Sequence, residues 1–363
     1  MKKLILLTLS LLSITTASHA QGLKDIVGRH CLVGAALNQW QSAGKMAIVD
    51  TIVNRHFNSA VAENCMKSEQ LQPAEGVFDF RQADLFVDYC EQHHLTPIGH
   101  CLVWHSQAPA WLFAGQPSRE QLIRRIENHI RTVVGRYRGR IHGWDVVNEA
   151  IEDDGSMRRS PLYDIIGEDF IEIAFRAAHE ADPDAELYYN DYSMAIPAKR
   201  EAVCRLIRNL KSKGIRIDGV GMQSHVGLDS PDLVEYERSI DSFAAENVKV
   251  MITELDMNVL PNPWQFGGAA VEQNFEYQQK LNPYTEQLPA AKAREAEKRY
   301  MDFFQLFYKH RQQISRITFW GISDADSWLN NWPINGRTNY PLPFDRQYNE
   351  KPLVKKIIDL YNH

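Results

Sequence analysis

The stretch Ile141-His142-Gly143-Trp144-Asp145-Val146-Val147-Asn148-Glu149-Ala150 sets the reading of the fold. A short apolar run closes abruptly on polar side chains. A strand buried on both faces looks like this, and parallel sheets covered by helices are built from such strands. The pattern recurs along the chain. Runs over Leu32 to Leu37, Ala60 to Ala62, Pro97 to Val103, Ile141 to Val147, Glu186 to Tyr189, Val220 to Met222, Val248 to Ile252 and Ile317 to Phe319 read as eight strands. Helical periodicity lies between them, as in Met46-Ile48-Val49-Ile52-Val53, Leu122-Ile123-Ile126-Ile130-Val133-Val134 and Val203-Leu206-Ile207-Leu210. Ser118 with Gln121 forms a capping box, Ser230-Pro231 marks a helix start and Gly214 a helix stop.

Eight strands, each followed by a helix, predict a single closed (β/α)8 barrel of the TIM type. The 363 residues would also allow two domains, but no linker or low-complexity stretch divides them. The first strand runs into Asn38-Gln39-Trp40, without the glycine-rich phosphate turn of a nucleotide-binding sheet. From Asp256 to about Pro289 the periodicity lapses among Pro261, Pro263, Gly267, Gly268 and Pro283. Trp264, Phe266, Phe275, Tyr277 and Tyr284 lie there, so an enlarged loop is expected after the seventh strand, on the face where barrel active sites sit.

The N-terminus carries Lys2-Lys3, an apolar run from Leu4 to Ile14, and Ser18-His19-Ala20 before Gln21. This is the layout of a secretory signal peptide, too short for a membrane span. Residues 1–20 are therefore expected to be a leader for periplasmic or secreted export, with 21–363 forming one catalytic barrel. Cys31, Cys65, Cys90, Cys101 and Cys204 are odd in number and irregularly spaced, and read as buried thiols rather than a disulfide framework. A net charge of −6 argues against a nucleic-acid partner. Neither a membrane anchor nor an obligate oligomer is expected.

In a barrel, chemistry gathers where polar residues end apolar strands. Glu149 ends the fourth strand, and Glu254 ends the seventh in Ile252-Thr253-Glu254-Leu255-Asp256. Those strands lie across the barrel mouth from each other, so the two carboxyls can face one substrate. Such a pair is the machinery of glycoside hydrolysis, with one carboxyl protonated and the other ionised. Around them, strand ends supply His100, Trp104, His105 and Gln107, then Tyr189-Asn190-Asp191-Tyr192, Gln223-Ser224-His225, and Trp320 with Trp328 beyond. Amides, imidazoles and carboxylates suit sugar hydroxyls, and the Trp at strand ends offer faces for sugar C–H bonds, though Trp104 or Trp320 could equally fill the core. His100, His105 and His225 have no metal-ligand spacing, and no serine-hydrolase elbow occurs, so no metal or cofactor is expected.

Taken together, His100-Cys-Leu-Val-Trp104-His105, Trp144-Asp-Val-Val-Asn-Glu149-Ala, Tyr189-Asn-Asp-Tyr192, Gln223-Ser-His225, Ile252-Thr-Glu254-Leu-Asp256 and Phe319-Trp-Gly resemble glycoside hydrolase family 10. That family consists mostly of endo-1,4-β-xylanases (EC 3.2.1.8) on (β/α)8 barrels. The resemblance implies a retaining hydrolase of β-1,4-xylan or xylo-oligosaccharides. It implies that Glu149 is the acid/base and Glu254 the nucleophile, with His225 bonding Glu254 and Asp256 orienting His225. It places Asn148 on the 2-hydroxyl of the reacting sugar and Gln223 near that sugar. It makes His100, Trp104, Lys67, Trp320 and Trp328 walls of the glycone side, and Glu63, Asn64 and Gln107 contacts to the next sugar outward. Tyr192 falls on the leaving-group side. Two departures stand out. Lys67 is followed by Ser68 and Glu69 where the family usually has Trp, and Tyr192 by Ser193 where Asn is common.

Overall fold

The computed structural model describes residues 21–262 and 280–362. The expected leader, and Trp264, Phe266, Phe275 and Tyr277, lie outside the described residues.

Nine strands are described: β1 Leu32–Leu37, β2 Ser59–Ala62, β3 Thr96–Trp104, β4 Gly143–Asn148, β5 Glu186–Asp191, β6 Gly219–Met222, β7 His225–Gly227, β8 Lys249–Asn258 and β9 Ile314–Phe319. All pair in parallel. Neighbours run from β1 to β6, then β6 pairs with β8, β8 with β9, and β9 returns to β1. The ring of eight is closed, as the alternation of apolar runs predicts. The ninth strand is not foreseen by that alternation: β7 is a three-residue spur that pairs with the far half of β8, His225 opposite Asp256.

Two apolar cores follow from the two faces of that ring. Inside it, Ala36, Val61, Ile98, Tyr188, Met251 and Trp320 pack together, so the barrel is filled rather than hollow. Outside, the opposite faces of the strands meet the helices, burying among others Val33, Val146, Ile252 and Ile317 against Phe86, Ile130, Phe175, Ile207, Phe243, Phe304 and Ile357. All five cysteines are free and buried there and in the strands.

Ser118 caps the helix Arg119–Arg136, accepting from Gln121 N, and the Gln121 side chain returns the bond. One expected start is corrected. The helix Leu233–Ala245 is capped by Asp232, whose Oδ1 accepts from Val234 N and Glu235 N. Asp232 offers a carboxylate to two free N–H groups, whereas Ser230 lies too far from the first turn to reach them.

The long connection after β8 is tied down at its described ends. Arg337 Nη2 donates to Pro261 O (2.7 Å) and Nε to Leu281 O (3.0 Å), and Tyr340 Oη donates to Tyr284 O (2.8 Å). The loop after β9 thus clamps the loop after β8, on the side of the barrel where β8 delivers Glu254.

Candidate active site

Glu254, expected to end its strand, instead lies midway along β8, which continues to Asn258. It is buried with both oxygens occupied. Oε1 accepts from Asn190 Nδ2 (2.7 Å), and Oε2 meets His225 Nε2 (3.1 Å). Asn190 is set by Thr253 Oγ1, which donates to its Oδ1 (2.6 Å), and by Gly221. A Cβ on Gly221 would stand 2.1 Å from Asn190 Oδ1, so only glycine leaves the amide room. On its other side His225 meets Asp256 Oδ1 through Nδ1 (3.0 Å), and Asp256 Oδ2 accepts from Trp328 Nε1 (2.7 Å). Burial works against the charge on His225. The carboxylates of Asp256 and Glu254 overcome it and push the imidazole up to about 10. Burial likewise opposes ionisation of Glu254, but the bond from His225, the nearby imidazoles and the Asn190 amide outweigh it. Glu254 is held below the usual carboxylate range, as an anion.

Glu149 faces it from the end of β4 in a different setting. It is half-buried and its backbone is left-handed, with φ 57°. A non-glycine residue pays strain there, and such outliers gather at functional sites. The reversal lifts the side chain off the strand toward the mouth. Oε2 accepts from Trp104 Nε1 (2.9 Å), while Oε1 accepts from Gln223 Nε2 (2.9 Å) and Asn148 Nδ2 (3.3 Å). The amides link the two carboxyls: Asn148 Oδ1 accepts from Gln223 Nε2 (3.2 Å) and Asn190 Nδ2 (3.0 Å).

Aromatic and imidazole rings wall the cleft. Trp320 is 8% exposed and belongs to the barrel's inner core, with His100 at 5.3 Å and His225 at 6.3 Å between centroids. Trp328 packs 5.0 Å from His225. His100 Nδ1 meets Asp145 Oδ2 at 2.9 Å, both side chains being buried, which leaves Nε2 free to act.

The expected outer contacts converge as well. Lys67 Nζ donates to Asn64 Oδ1 (2.8 Å) and Gln107 Oε1 (2.7 Å) and lies 5.0 Å from the centre of the Trp104 ring. Burial pushes the Glu63 carboxyl up; Lys67 opposes this and Asp326 reinforces it. Where a Trp would be usual after Lys67, Ser68 and Glu69 open the short helix Ser68–Leu71, and Glu69 Oε1 accepts from Gln107 Nε2 (3.1 Å). Polar side chains therefore gather where an indole would be usual.

On the opposite side, Tyr192 Oη accepts from Arg158 Nη2 (2.5 Å), and Lys199 Nζ sits 3.7 Å from the centre of its ring. Ser193 follows with φ 51° and its side chain exposed.

Sequence reasoning assigns no role to Asn190, Asp145, Asp191, Arg158 or Lys199. Asn190 and Asp191 are marked only by their place at the end of β5, and Asp145 lies inside β4, where its pairing with His100 gives no sequence signal. Nothing local marks Arg158 in a loop or Lys199 in the first turn of a helix.

His100, His225 and the carboxylates beside them are committed to each other, not to a common centre. Among the described residues, Glu237, Asp241 and His310 have metal-like proximity, but they lie in the outer helical shell, where Glu237 already takes His310 Nε2 at 2.7 Å.

The family model for "Glycosyl hydrolase family 10" matches residues 22–360. An endo-1,4-beta-xylanase A of Xylanibacter ruminicola is 52% identical over 99% of this chain and 100% of its own. A beta-1,4-xylanase of Dictyoglomus thermophilum is 36% identical over 98% of this chain and 96% of its own. Among solved structures, a GH10 endoxylanase from a sugarcane soil metagenome superposes with a TM-score of 0.88 at 42% identity, covering 94% of this chain and 100% of that one. A xylanase of Paenibacillus barcinonensis in complex with a conduramine derivative gives 0.85 at 37% identity, over 94% and 99%.

Proposed function

The chain belongs to glycosyl hydrolase family 10, and from that premise we propose that it is an endo-1,4-β-xylanase acting by double displacement with retention. The observation that carries this reading is the contrast between the two carboxyls. Glu254 is buried and held ionised by His225 and Asn190. Glu149 is half-buried and left-handed, and its carboxyl accepts from an indole and two amides.

In the first step a Glu254 oxygen attacks the anomeric carbon, and the glycosidic C–O bond breaks as Glu149 gives its proton to the departing oxygen. The second step reverses these roles. Glu149, now ionised, takes a proton from water, the water oxygen attacks the anomeric carbon, and Glu254 leaves as a carboxylate. Retention requires a carboxyl separation of about 5–5.5 Å, without room for a water between them. His225, kept in place by Asp256, stabilises the charge on Glu254. Asn148 Nδ2 and Gln223 Nε2 donate to Glu149 Oε1; Asn148 would turn to the 2-hydroxyl of the reacting sugar, with Gln223 near the same sugar. His100, Trp104, Lys67, Trp320 and Trp328 wall the glycone side, and Glu63, Asn64 and Gln107 meet the next sugar. Tyr192 lies under the leaving group. No metal or cofactor takes part.

Residues 1–20 act as a cleaved export leader in this reading, and 21–363 work as a single catalytic unit and a monomer. No helix among the described residues is long and apolar enough to cross a membrane.

Time-resolved product analysis on xylan, short xylo-oligosaccharides and a β-1,4-glucan tests the substrate class. The expected outcome is rapid loss of xylan chain length with a mixture of short products. Release of xylose alone from chain ends, or faster cleavage of the glucan, would contradict it.

A further inference from the structure

Behind the strained turn that carries Glu149 lies a buried ion pair that the double-displacement chemistry does not use. Lys199 and Asp191 are both wholly buried, and Lys199 Nζ lies 2.8 Å from Asp191 Oδ1. A buried pair is costly to desolvate, and cheaper apolar packing of the same volume is usually available. Its contacts say what it holds. Asp191 Oδ1 also accepts from Tyr192 N (2.9 Å). Asp191 Oδ2 accepts from Tyr189 Oη and from Ile151 N (3.4 Å). The same Tyr189 hydroxyl accepts from Ala150 N (3.1 Å). Glu149 N itself donates to Asn190 O (2.9 Å), and Arg158 Nε donates to Glu149 O (2.8 Å).

Three successive N–H groups, of Glu149, Ala150 and Ile151, are therefore fixed to β5 and its side chains. Two of them depend directly or through one hydroxyl on Asp191. Lys199 balances that carboxylate and places its ammonium 3.7 Å from the Tyr192 ring centre, with Asp153 Oδ1 at 3.3 Å on its outer side. Arg158 joins the same two points: it bonds Glu149 O and Tyr192 Oη, and pairs with Glu152 at 2.9 Å.

We propose that the Asp191–Lys199 pair is a positioning device for the acid/base, holding the left-handed Glu149 turn in register with Tyr192 on the leaving-group side. Neither residue touches substrate. They act by aiming the carboxyl that must reach the departing oxygen. The proposal rests on the reading of Glu149 as the acid/base. It makes proton delivery, rather than nucleophilic attack, the step that depends on the pair.

A misaimed acid harms only reactions that need protonation of the leaving group. The test compares kcat/KM for two aryl β-xylobiosides, one with an acidic dinitrophenol and one with a weakly acidic phenol, in wild type, E149A, D191N and D191N/K199M. The double variant leaves no unpaired buried charge. The amide introduced by D191N still offers one accepting oxygen, but its NH2 must face one pair of the donors that Asp191 satisfied. Turnover of the dinitrophenyl substrate needs Glu254 in place, so it also reports the folded fraction.

The expected result is a loss of about a hundredfold on the phenyl substrate, as for an acid displaced by about 1 Å, against less than about threefold on the dinitrophenyl one. E149A should show the same split more strongly. Equal losses on both substrates, or no loss, in D191N and D191N/K199M would overturn the proposal while leaving the acid/base reading intact. Absence of a split in E149A would overturn that reading, and the proposal with it.

Discussion

His225 is the side chain on which the character of Glu254 turns. Without its cation and hydrogen bond, the burial that opposes ionisation of Glu254 would dominate, and the carboxyl would protonate at higher pH. His225→Gln is therefore expected to move the acid limb of the kcat/KM profile upward. A pH series on the dinitrophenyl xylobioside measures this, and an unmoved or lowered limb would refute it. Gly221 makes a sharper demand. Gly221→Ala puts a methyl where Asn190 Oδ1 stands and pushes away the amide that holds Glu254. A fall in kcat of about ten- to a hundredfold is expected, together with a loss of about 1–3 kcal/mol of stability as the buried amide and Thr253 are pushed aside. A variant with kcat near wild type would mean that Asn190 does not set Glu254.

At the scale of elements, the capping box before Arg119–Arg136 should matter to stability alone. Ser118→Ala is expected to cost about 1 kcal/mol and lower Tm by about 1–2 °C, with kcat/KM unchanged. A change in kcat/KM would link that helix to the cleft. The strands themselves are legible where apolar residues run unbroken, as in β1 and β2. They are misjudged where chemistry interrupts them. β8 reads as ending at Ile252, yet it continues to Asn258 through Thr253, Glu254 and Asp256, with its register against β9 shifting between Ile252 and Leu255. Functional polar residues break the very pattern that signals a strand. The spur β7 is hidden for the same reason, since it begins at His225. Glu149 and Glu254 can be picked out because each closes an apolar run, although only Glu149 stands at a strand end and Glu254 lies inside β8. Lys199 cannot: its role arises from a helix start lying behind β5, which only the closed barrel brings about.

For the molecule as a whole, acid should erode stability through buried histidines as well as carboxylates. His129 is buried, bonds Gln72 Oε1 through Nδ1 (2.9 Å) and leaves Nε2 without a partner; burial lowers it to about 4. The unfolded chain takes up this proton near pH 6.5, before the folded one does, so stability falls as pH drops from about 6.5 to 4. The single site contributes on the order of 3 kcal/mol across that window. In His129→Leu the difference in Tm between pH 7 and pH 4.5 is expected to shrink. An unchanged difference would show that His129 titrates normally in the fold.

At every scale the molecule serves one event, the covalent bond that Glu254, opposite Glu149, is proposed to form to the sugar. A 2-fluoro xylobioside with a good leaving group slows the second step, so the intermediate should accumulate. Mass analysis of the intact enzyme followed by peptide mapping reads it directly. One added 2-fluoro-xylobiosyl unit is expected, on the peptide containing Glu254. An adduct on another residue, or no adduct alongside direct release of the α-anomer, would contradict it.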